Sequence, residues 1–291
     1  MAIQGQRAAR RVPREGGELG VRSLDYVSFI SLLRETNRPP GGKQTVRFWI
    51  QNAHLGPHSK VLEIGSNTGF TSFELARSCG CRVVGIDVSA PAVEVARDEL
   101  RRDSQEIRRL VRFEVGDARE IAAADAEFDA VVCGGALSFI SERRQALAEI
   151  QRVLRPWGFI CVSPLCYHTM PPPSLGAALE AIVGFTIPVF RADDWLALLR
   201  EAGLEAYVTR RLGLGSRSDR EVVEYIDALV AMREGELPRS SLEELRERAL
   251  EIFRVFNQNH RYVEALQGVF RVRALPEQQE LFEAVAPPLE P

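Results

Sequence analysis

The chain of 291 residues has no excess of positive charge, few cysteines and no long apolar run, and each shortage narrows what the protein can be. Its net charge is −3. Because a nucleic acid partner usually requires a strongly basic surface, we expect none. No apolar run approaches the length of a membrane span, and no apolar core follows the arginine-rich first residues. We therefore expect a cytoplasmic protein without membrane contact.

The five cysteines do not form a disulfide pattern, because their number is odd and most fall in or beside predicted core strands. We expect reduced, buried thiols. Cys79 and Cys81 lack the spacing and the partners of a zinc site, so no metal is expected. The apolar and charged fractions, 45% and 26%, are those of an ordinary globular protein that can bury a large core.

Strands and helices alternate from Val61 to Val162, which predicts an α/β fold with a doubly wound, mostly parallel sheet. Five strands are expected in that range, a sixth at 204–212 and a seventh within 262–272. For the seventh, a helical continuation through Val269 is the alternative. The sequence therefore predicts a seven-stranded, Rossmann-like sheet.

Additions flank this sheet. Residues 1–18 are predicted to be disordered, because they offer little to bury. Residues 19–55 are predicted to form an N-terminal helical cap segment, with a break at 37–42 where Pro39 and Pro40 precede two glycines. Residues 56–291 form the main domain, with a helical insertion at about 214–260. The N-terminal helices and the insertion could together form a cap over the carboxyl edge of the sheet.

The most informative segment runs from Lys60 to Ala76, where an apolar strand, a glycine turn and a helix follow one another. The turn carries Gly65, Asn67 and Gly69. A turn without bulky side chains lets a ligand approach the backbone, and the helix N-terminus offers free N–H donors. An ordinary strand-to-helix turn without a ligand is the alternative.

A carboxylate closes the second strand about twenty residues later. Asp87 follows Val83–Ile86, at the interval expected for one helix and one strand. Asp87 could cap the next helix, but Ser89 is better placed for that, with Pro91 in the first turn. Asp87 is therefore predicted to accept hydrogen bonds from a ligand.

Two further loops follow the third and fourth strands. Gly116, Asp117 and Ala118 follow the third, where an Asx-turn without a ligand is the alternative. Cys133 and Gly134 end the fourth strand. A Pro-x-Gly turn at 156–158 precedes the fifth.

Together these motifs, in this order over residues 61–165, resemble the class I S-adenosylmethionine (SAM)-dependent methyltransferases. Asn67 stands where that family has its middle glycine, and asparagine tolerates a positive φ better than other non-glycine residues. The resemblance implies SAM as the cofactor and S-adenosylhomocysteine (SAH) as the product. It also implies roles: Glu63 toward the methionine ammonium, Asp87 toward the ribose hydroxyls, and Asp117 with Ala118 toward the adenine. The full set of predicted cofactor-binding residues is Glu63, Gly65, Asn67, Gly69, Asp87, Val88, Asp117, Ala118, Cys133 and Gly134.

Methyl transfer from a sulfonium requires alignment, exclusion of water and, for some acceptors, a base. His168, just after the fifth strand, is the candidate base, with a structural loop histidine as the alternative. Apolar residues near the same edge favour a small, hydrophobic or aromatic acceptor, although such residues are more often core. They are Phe139, Leu165, Met170, Phe185, Ile187, Phe190 and Trp195.

The leading hypothesis is thus a methyltransferase acting on an O-, N- or C-nucleophile of a small molecule, in specialised metabolism. A peptide or protein methyltransferase, with the helical insertion docking the chain, is the second. A non-catalytic SAM-binding subunit is the third, on the strength of Asn67. A nicotinamide oxidoreductase fits least, because it would have the G-x-G-x-x-G spacing and no Glu63. A homodimer is compatible with the sequence.

Overall fold

The structure is a computed structural model that describes residues 20–272. The tail predicted for residues 1–18 lies outside that range. The helices are α1 (Tyr26–Leu33), α2 (Gly42–Asn52), α3 (Phe70–Cys79), α4 (Ala90–Arg102), α5 (Gln105–Leu110), α6 (Arg143–Val153), α7 (Pro173–Val183), α8 (Ala192–Glu201), α9 (Asp219–Ala231) and α10 (Arg239–Asn259). The strands are β1 (Lys60–Ile64), β2 (Arg82–Asp87), β3 (Val111–Val115), β4 (Phe128–Cys133), β5 (Leu154–Val162), β6 (Leu165–Tyr167), β7 (Leu204–Gly213) and β8 (Val263–Val272).

The strands form one sheet in the order β3-β2-β1-β4-β5-β8, with β7 beyond β8. Strands β1 to β5 are parallel, and β8 is antiparallel to β5 and β7. The short strand β6 continues β5 along the same side of β8, after an interruption at Ser163 and Pro164. The predicted α/β fold with a mostly parallel, Rossmann-like sheet is confirmed, with its fifth strand split in two.

The central strands are apolar because helices cover both of their faces. Helices α6 and α8 pack on one face through Leu147, Ile150 and Trp195. Helices α2, α3 and α4 pack on the other face, where Trp49 and Leu75 are fully buried. The parallel strands therefore end together at one carboxyl edge, with α3 and α4 starting from it.

A third apolar cluster, the cap cluster, lies apart from these two. It joins Phe29 and Ile30 of α1 to Ile226 of α9 and to Leu245 and Ala249 of α10. The insertion predicted at about 214–260 thus contains the two expected helices. The helical alternative for 262–272 is wrong, because this segment is a strand that pairs with neighbours on both sides.

Helices long and apolar enough to traverse a lipid bilayer do not occur within residues 20–272.

Candidate functional site

The loop after β1 is hydrogen-bonded to β2 and packs closely against the loop after β4. Gly65 has a φ of +73°, and its N–H and that of Ser66 both donate to the carbonyl of Ile86 in β2, at 2.9 and 3.0 Å. A Cβ on Gly65 would lie 2.5 Å from the Cβ of Ala136, in the loop after β4. Only glycine fits there, because both the backbone conformation and the space exclude a side chain.

Asn67 adopts the left-handed conformation that the sequence predicts, with a φ of +45°. Its side-chain oxygen accepts a hydrogen bond from the Thr68 N–H at 2.8 Å, which stabilises the turn locally. Gly69, with a φ of +96°, is the N-cap of α3 and has no side chain to cap the helix. The start of α3 therefore presents its positive dipole end to this edge.

Asp87 connects the end of β2 to this loop. One carboxylate oxygen accepts from the Asn67 N–H at 2.9 Å, and the other accepts from the Ser89 N–H at 2.8 Å. Burial raises the pKa of Asp87, while the two backbone N–H groups oppose that rise. Each oxygen keeps a lone pair, so the carboxylate can accept two more hydroxyl groups. Ser89 caps α4 as predicted, accepting from the Ala92 N–H.

Glu63 lies deeper than Asp87, since its register partner in β2 is Gly85. The side chain is 5% exposed and accepts a hydrogen bond from the Ser72 hydroxyl of α3 at 2.5 Å. Burial raises the pKa of Glu63 to about 8, against the lowering effect of the Ser72 and Thr71 hydroxyls. Burial therefore favours the protonated form of this carboxyl group, whereas the resemblance implies an ionised acceptor.

The end of β3 joins the same edge, because the Gly116 N–H donates to the Asp87 carbonyl at 3.0 Å. Asp117 accepts from the Arg119 backbone N–H at 2.9 Å, as in an Asx-turn, and forms an ion pair with the Arg119 guanidinium at 2.6 Å. That hydrogen-bonded guanidinium lowers the pKa of Asp117. Ala118 is buried, and Val88 is exposed over 68% of its surface.

The loop after β4 is the fourth part of the site. Cys133 is fully buried, and burial raises its pKa to about 12, so its thiol stays neutral. The Ser163 N–H donates to the carbonyls of both Cys133 and Gly134, at 3.3 and 3.2 Å. A Cβ on Gly134 would lie 3.0 Å from the Cβ of Pro39, so the N-terminal segment passes directly over this loop.

His168, the candidate base, follows β6 at the carboxyl end of the sheet. Its ring is exposed, and Nδ1 lies 2.9 Å from the Thr169 hydroxyl. Among residues 20–272, no carboxylate pairs with its ring. The His168 ring is thus accessible to a ligand and has the Thr169 hydroxyl as its hydrogen-bond partner, with no carboxylate to activate it in the described part of the chain.

The predicted cofactor residues are therefore brought to one edge, with Glu63 beneath it and His168 at its far end. Sequence reasoning did not identify Glu35, Thr68 or Tyr225, which meet beside the loop at residues 65–69, the glycine loop. The sequence signals this contact only through the break at Pro39 and Pro40, which shows that the chain turns there but not which residues it covers.

A cavity of about 290 Å³ lies at the opposite, amino edge of the sheet. His54, His58, Arg155 and Trp157 line it. None of the predicted site residues borders this cavity.

Comparison with known proteins places the chain among methyltransferases. The model of a family described as a methyltransferase domain matches residues 62–162. O-methyltransferase cnsE of Penicillium expansum is 30% identical over 190 residues, which cover 60% of this chain and 68% of that protein. Methyltransferase GfsG of Streptomyces halstedii is 34% identical over 152 residues, covering 50% of this chain and 52% of that protein.

Among solved structures, a SAM-dependent methyltransferase from Geobacter sulfurreducens in complex with SAH has the same fold. Its TM-score is 0.64 at 17% identity, and the match covers 84% of this chain and 98% of that one.

Proposed function

The chain belongs to the class I SAM-dependent methyltransferases, and we propose that its carboxyl edge holds SAM for methyl transfer to a small, largely apolar acceptor. The observation that carries the proposal is the junction of Gly65, Asn67 and Asp87. There a backbone turned through left-handed conformations meets a partly buried carboxylate that still has free lone pairs. When bound, SAM supplies a methyl group already activated on a sulfonium.

The residues at this edge fit an adenosyl amino acid. Asp87 would accept the ribose hydroxyls with the lone pairs that Asn67 and Ser89 leave free. The uncapped start of α3 would attract the methionine carboxylate. Val88 offers an exposed apolar surface to the adenine ring. Gly65, Gly69 and Gly134 would keep the backbone accessible along the way.

Two carboxyl groups would act differently from the simple acceptors that the resemblance implies. Glu63, whose protonated form burial favours, would hold the glycine loop against α3 through Ser72 instead of contacting an ammonium as an ion. Asp117, paired with Arg119, would accept from the adenine amine through a remaining lone pair, with Ala118 N–H as the neighbouring donor. Cys133 would contribute its backbone, since its thiol is neutral and buried.

The surface where the acceptor would enter, the acceptor mouth, is apolar. Phe139, in the loop after β4, is 51% exposed, and its ring packs edge-on against Phe185 at 5.3 Å between centroids. An exposed aromatic ring in the loop after β4 favours an acceptor with an apolar or aromatic body. Because the relative from Penicillium expansum is named an O-methyltransferase, phenols and alcohols are the first acceptors to test. His168 would then be the base that accepts the hydroxyl proton.

Calorimetric titration with SAH tests the cofactor proposal. We expect Asp87→Asn to weaken SAH binding by roughly tenfold or more, because charge-assisted hydrogen bonds to the ribose are lost. Asp98→Asn is the matched control, since Asp98 forms its ion pair with the exposed Arg101 of the same helix, α4. Equal affinities for both variants, or no SAH binding by the unmodified protein, would contradict the proposal. Turnover with phenols, alcohols, amines and carboxylates then identifies the acceptor class.

A further inference from the structure

The segment that joins α1 to α2, residues 35–41, lies across the carboxyl edge, and we call it the strap. The Pro40 carbonyl accepts hydrogen bonds from the Ser163 hydroxyl after β5, at 3.0 Å, and from the Thr45 hydroxyl of α2, at 2.5 Å. Pro39 lies against Gly134 after β4. The strap therefore covers the carboxyl ends of β4 and β5.

Glu35, at the start of the strap, joins three parts of the molecule. Its backbone carbonyl accepts from the Thr68 hydroxyl of the glycine loop at 3.1 Å. One oxygen of its carboxylate accepts from the Tyr225 hydroxyl of α9 at 2.5 Å, and the other accepts from the Asn37 N–H. Glu35 therefore links the glycine loop, the strap and the helical insertion.

The carboxylate of Glu35 is also a buried charge without a cationic partner. The residue is 8% exposed, and no Lys, Arg or His within residues 20–272 forms an ion pair with it. Its neighbour Arg34 pairs with Glu99 and Glu236, and Arg38 lies over the ring of Phe70. Burying a carboxylate is unfavourable unless it is compensated.

Tyr225 compensates this charge only partly, with one neutral hydrogen bond. Burial and the charge of Glu35 raise the pKa of Tyr225 above its usual range, so the phenol remains a donor at any working pH. The Glu35 carboxylate lies beside the glycine loop at a buried position, where water screens a charge poorly.

We propose that Glu35 is a positioning residue of the donor site whose charge favours the cationic methyl donor over the neutral product. SAM carries a positive charge on sulfur that SAH lacks, and the two are otherwise alike apart from the transferred methyl group. A fixed carboxylate beside the glycine loop would stabilise the first and not the second. Tyr225 holds that carboxylate, while Thr68 holds the backbone carbonyl of Glu35. This inference rests on the proposed function.

The test is the ratio of the dissociation constants of SAH and SAM, measured by calorimetry on the full chain. Glu35→Gln removes the charge and keeps the shape, so we expect SAM affinity to fall roughly tenfold while SAH affinity changes little. Glu224→Gln is the matched control, because Glu224 precedes Tyr225, is exposed and forms its ion pair with Arg220. The control should leave both affinities unchanged.

Tyr225→Phe tests whether the position of the Glu35 carboxylate matters in addition to its charge. It removes the hydrogen bond that holds Glu35 and keeps the charge, so we expect both SAM and SAH to bind severalfold more weakly, with a smaller change in their ratio. If Glu35→Gln does not fold, Glu35→Asp replaces it. Glu35→Asp retains the charge and should retain the preference for SAM.

The inference is overturned if Glu35→Gln weakens SAM and SAH equally or weakens neither, or if Glu35→Asp loses the preference for SAM. An unmodified protein that binds neither SAM nor SAH would overturn the proposed function itself. An unmodified protein that binds both, with a ratio unaffected by Glu35→Gln, would overturn this inference alone.

Discussion

The site has a floor, formed by residues 64–70 and 87–89, and the strap lies above it. The two parts hold their carboxylates in different ways. In the floor, Asp87 is fixed by the N–H groups of Ser89, two residues away, and of Asn67, twenty residues away. In the strap, the Glu35 carboxylate is bonded to Tyr225, 190 residues away, and its backbone carbonyl is bonded to Thr68, 33 residues away. The floor is built from consecutive strands and loops, whereas the strap takes its position from helices far away in sequence. We therefore expect the floor to be preformed by its local structure. We expect the strap to be able to open, because its contacts with distant elements are single hydrogen bonds of about 1 kcal/mol each.

The largest effect on cofactor binding is expected from filling the floor. Gly65→Ala combines a left-handed φ with a Cβ 2.5 Å from that of Ala136, so we expect it to destabilise folding by about 3 kcal/mol and to abolish SAH binding. Gly203→Ala is the matched control, with a φ of +81° but no atom within 4 Å of the added Cβ. It should cost about 1 kcal/mol, from backbone strain alone. Equal losses of stability in denaturant titrations would show that the floor is not tightly packed.

The second prediction concerns the independence of the cap cluster. Ile226 is fully buried in that cluster, and Ile226→Ala should remove about 2–4 kcal/mol of local stability. Hydrogen exchange should become faster in α9 and α10 and stay unchanged in β1. Val131→Ala, in the middle of the sheet, should instead accelerate exchange in the strands around it. If Ile226→Ala accelerates exchange in β1 as much as in α9, the cap and the floor unfold as one unit.

The third prediction follows from the protonation of Glu63. Its folded pKa of about 8 lies above the unfolded value near 4.5, so between these values the folded state binds more protons than the unfolded state. The stability of the unmodified protein relative to Glu63→Gln should therefore fall by up to about 1.4 kcal/mol per pH unit from about pH 5 to 8. Above pH 8 the difference should level off. A difference that is flat across this range would mean that Glu63 is ionised in the folded protein.

The smallest effect is expected at the acceptor mouth. Phe139→Ala should raise the KM of an apolar acceptor about threefold, with little change in kcat, because it removes binding surface and no reacting group. Trp157→Ala is the matched control, since Trp157 is a similarly exposed aromatic residue at the opposite edge of the sheet. If both variants change KM alike, the acceptor does not enter beside Phe139.

The floor was predictable because its signals are local in sequence. The strand before Gly65, the left-handed turn at Asn67 and the Ser89 cap each depend on a few neighbouring residues. The side-chain interactions were less predictable. Nothing in the sequence indicates that Arg119 pairs with Asp117, or that burial would leave Glu63 protonated.

The parts of the molecule that depend on contacts between residues far apart in sequence could not be predicted, because such contacts leave no local signal. Ala265 and Leu266 suit a helix or a strand, and β8 is a strand because β5 and β7 lie on either side of it. The break at Pro39 and Pro40 indicates a turn, but its course across Gly134 and Ser163 depends on tertiary packing. The contact between Glu35 and Tyr225 has no local signature.

Hydrogen exchange with and without SAH tests the central claim most directly, namely that the floor and the strap enclose the cofactor together. We expect SAH to slow exchange at residues 64–70 and 87–89 of the floor and at residues 35–41 of the strap. Residues 53–59 and 155–159, around the cavity at the amino edge, should exchange as before. Protection at the amino edge, or protection of the floor without the strap, would contradict the claim.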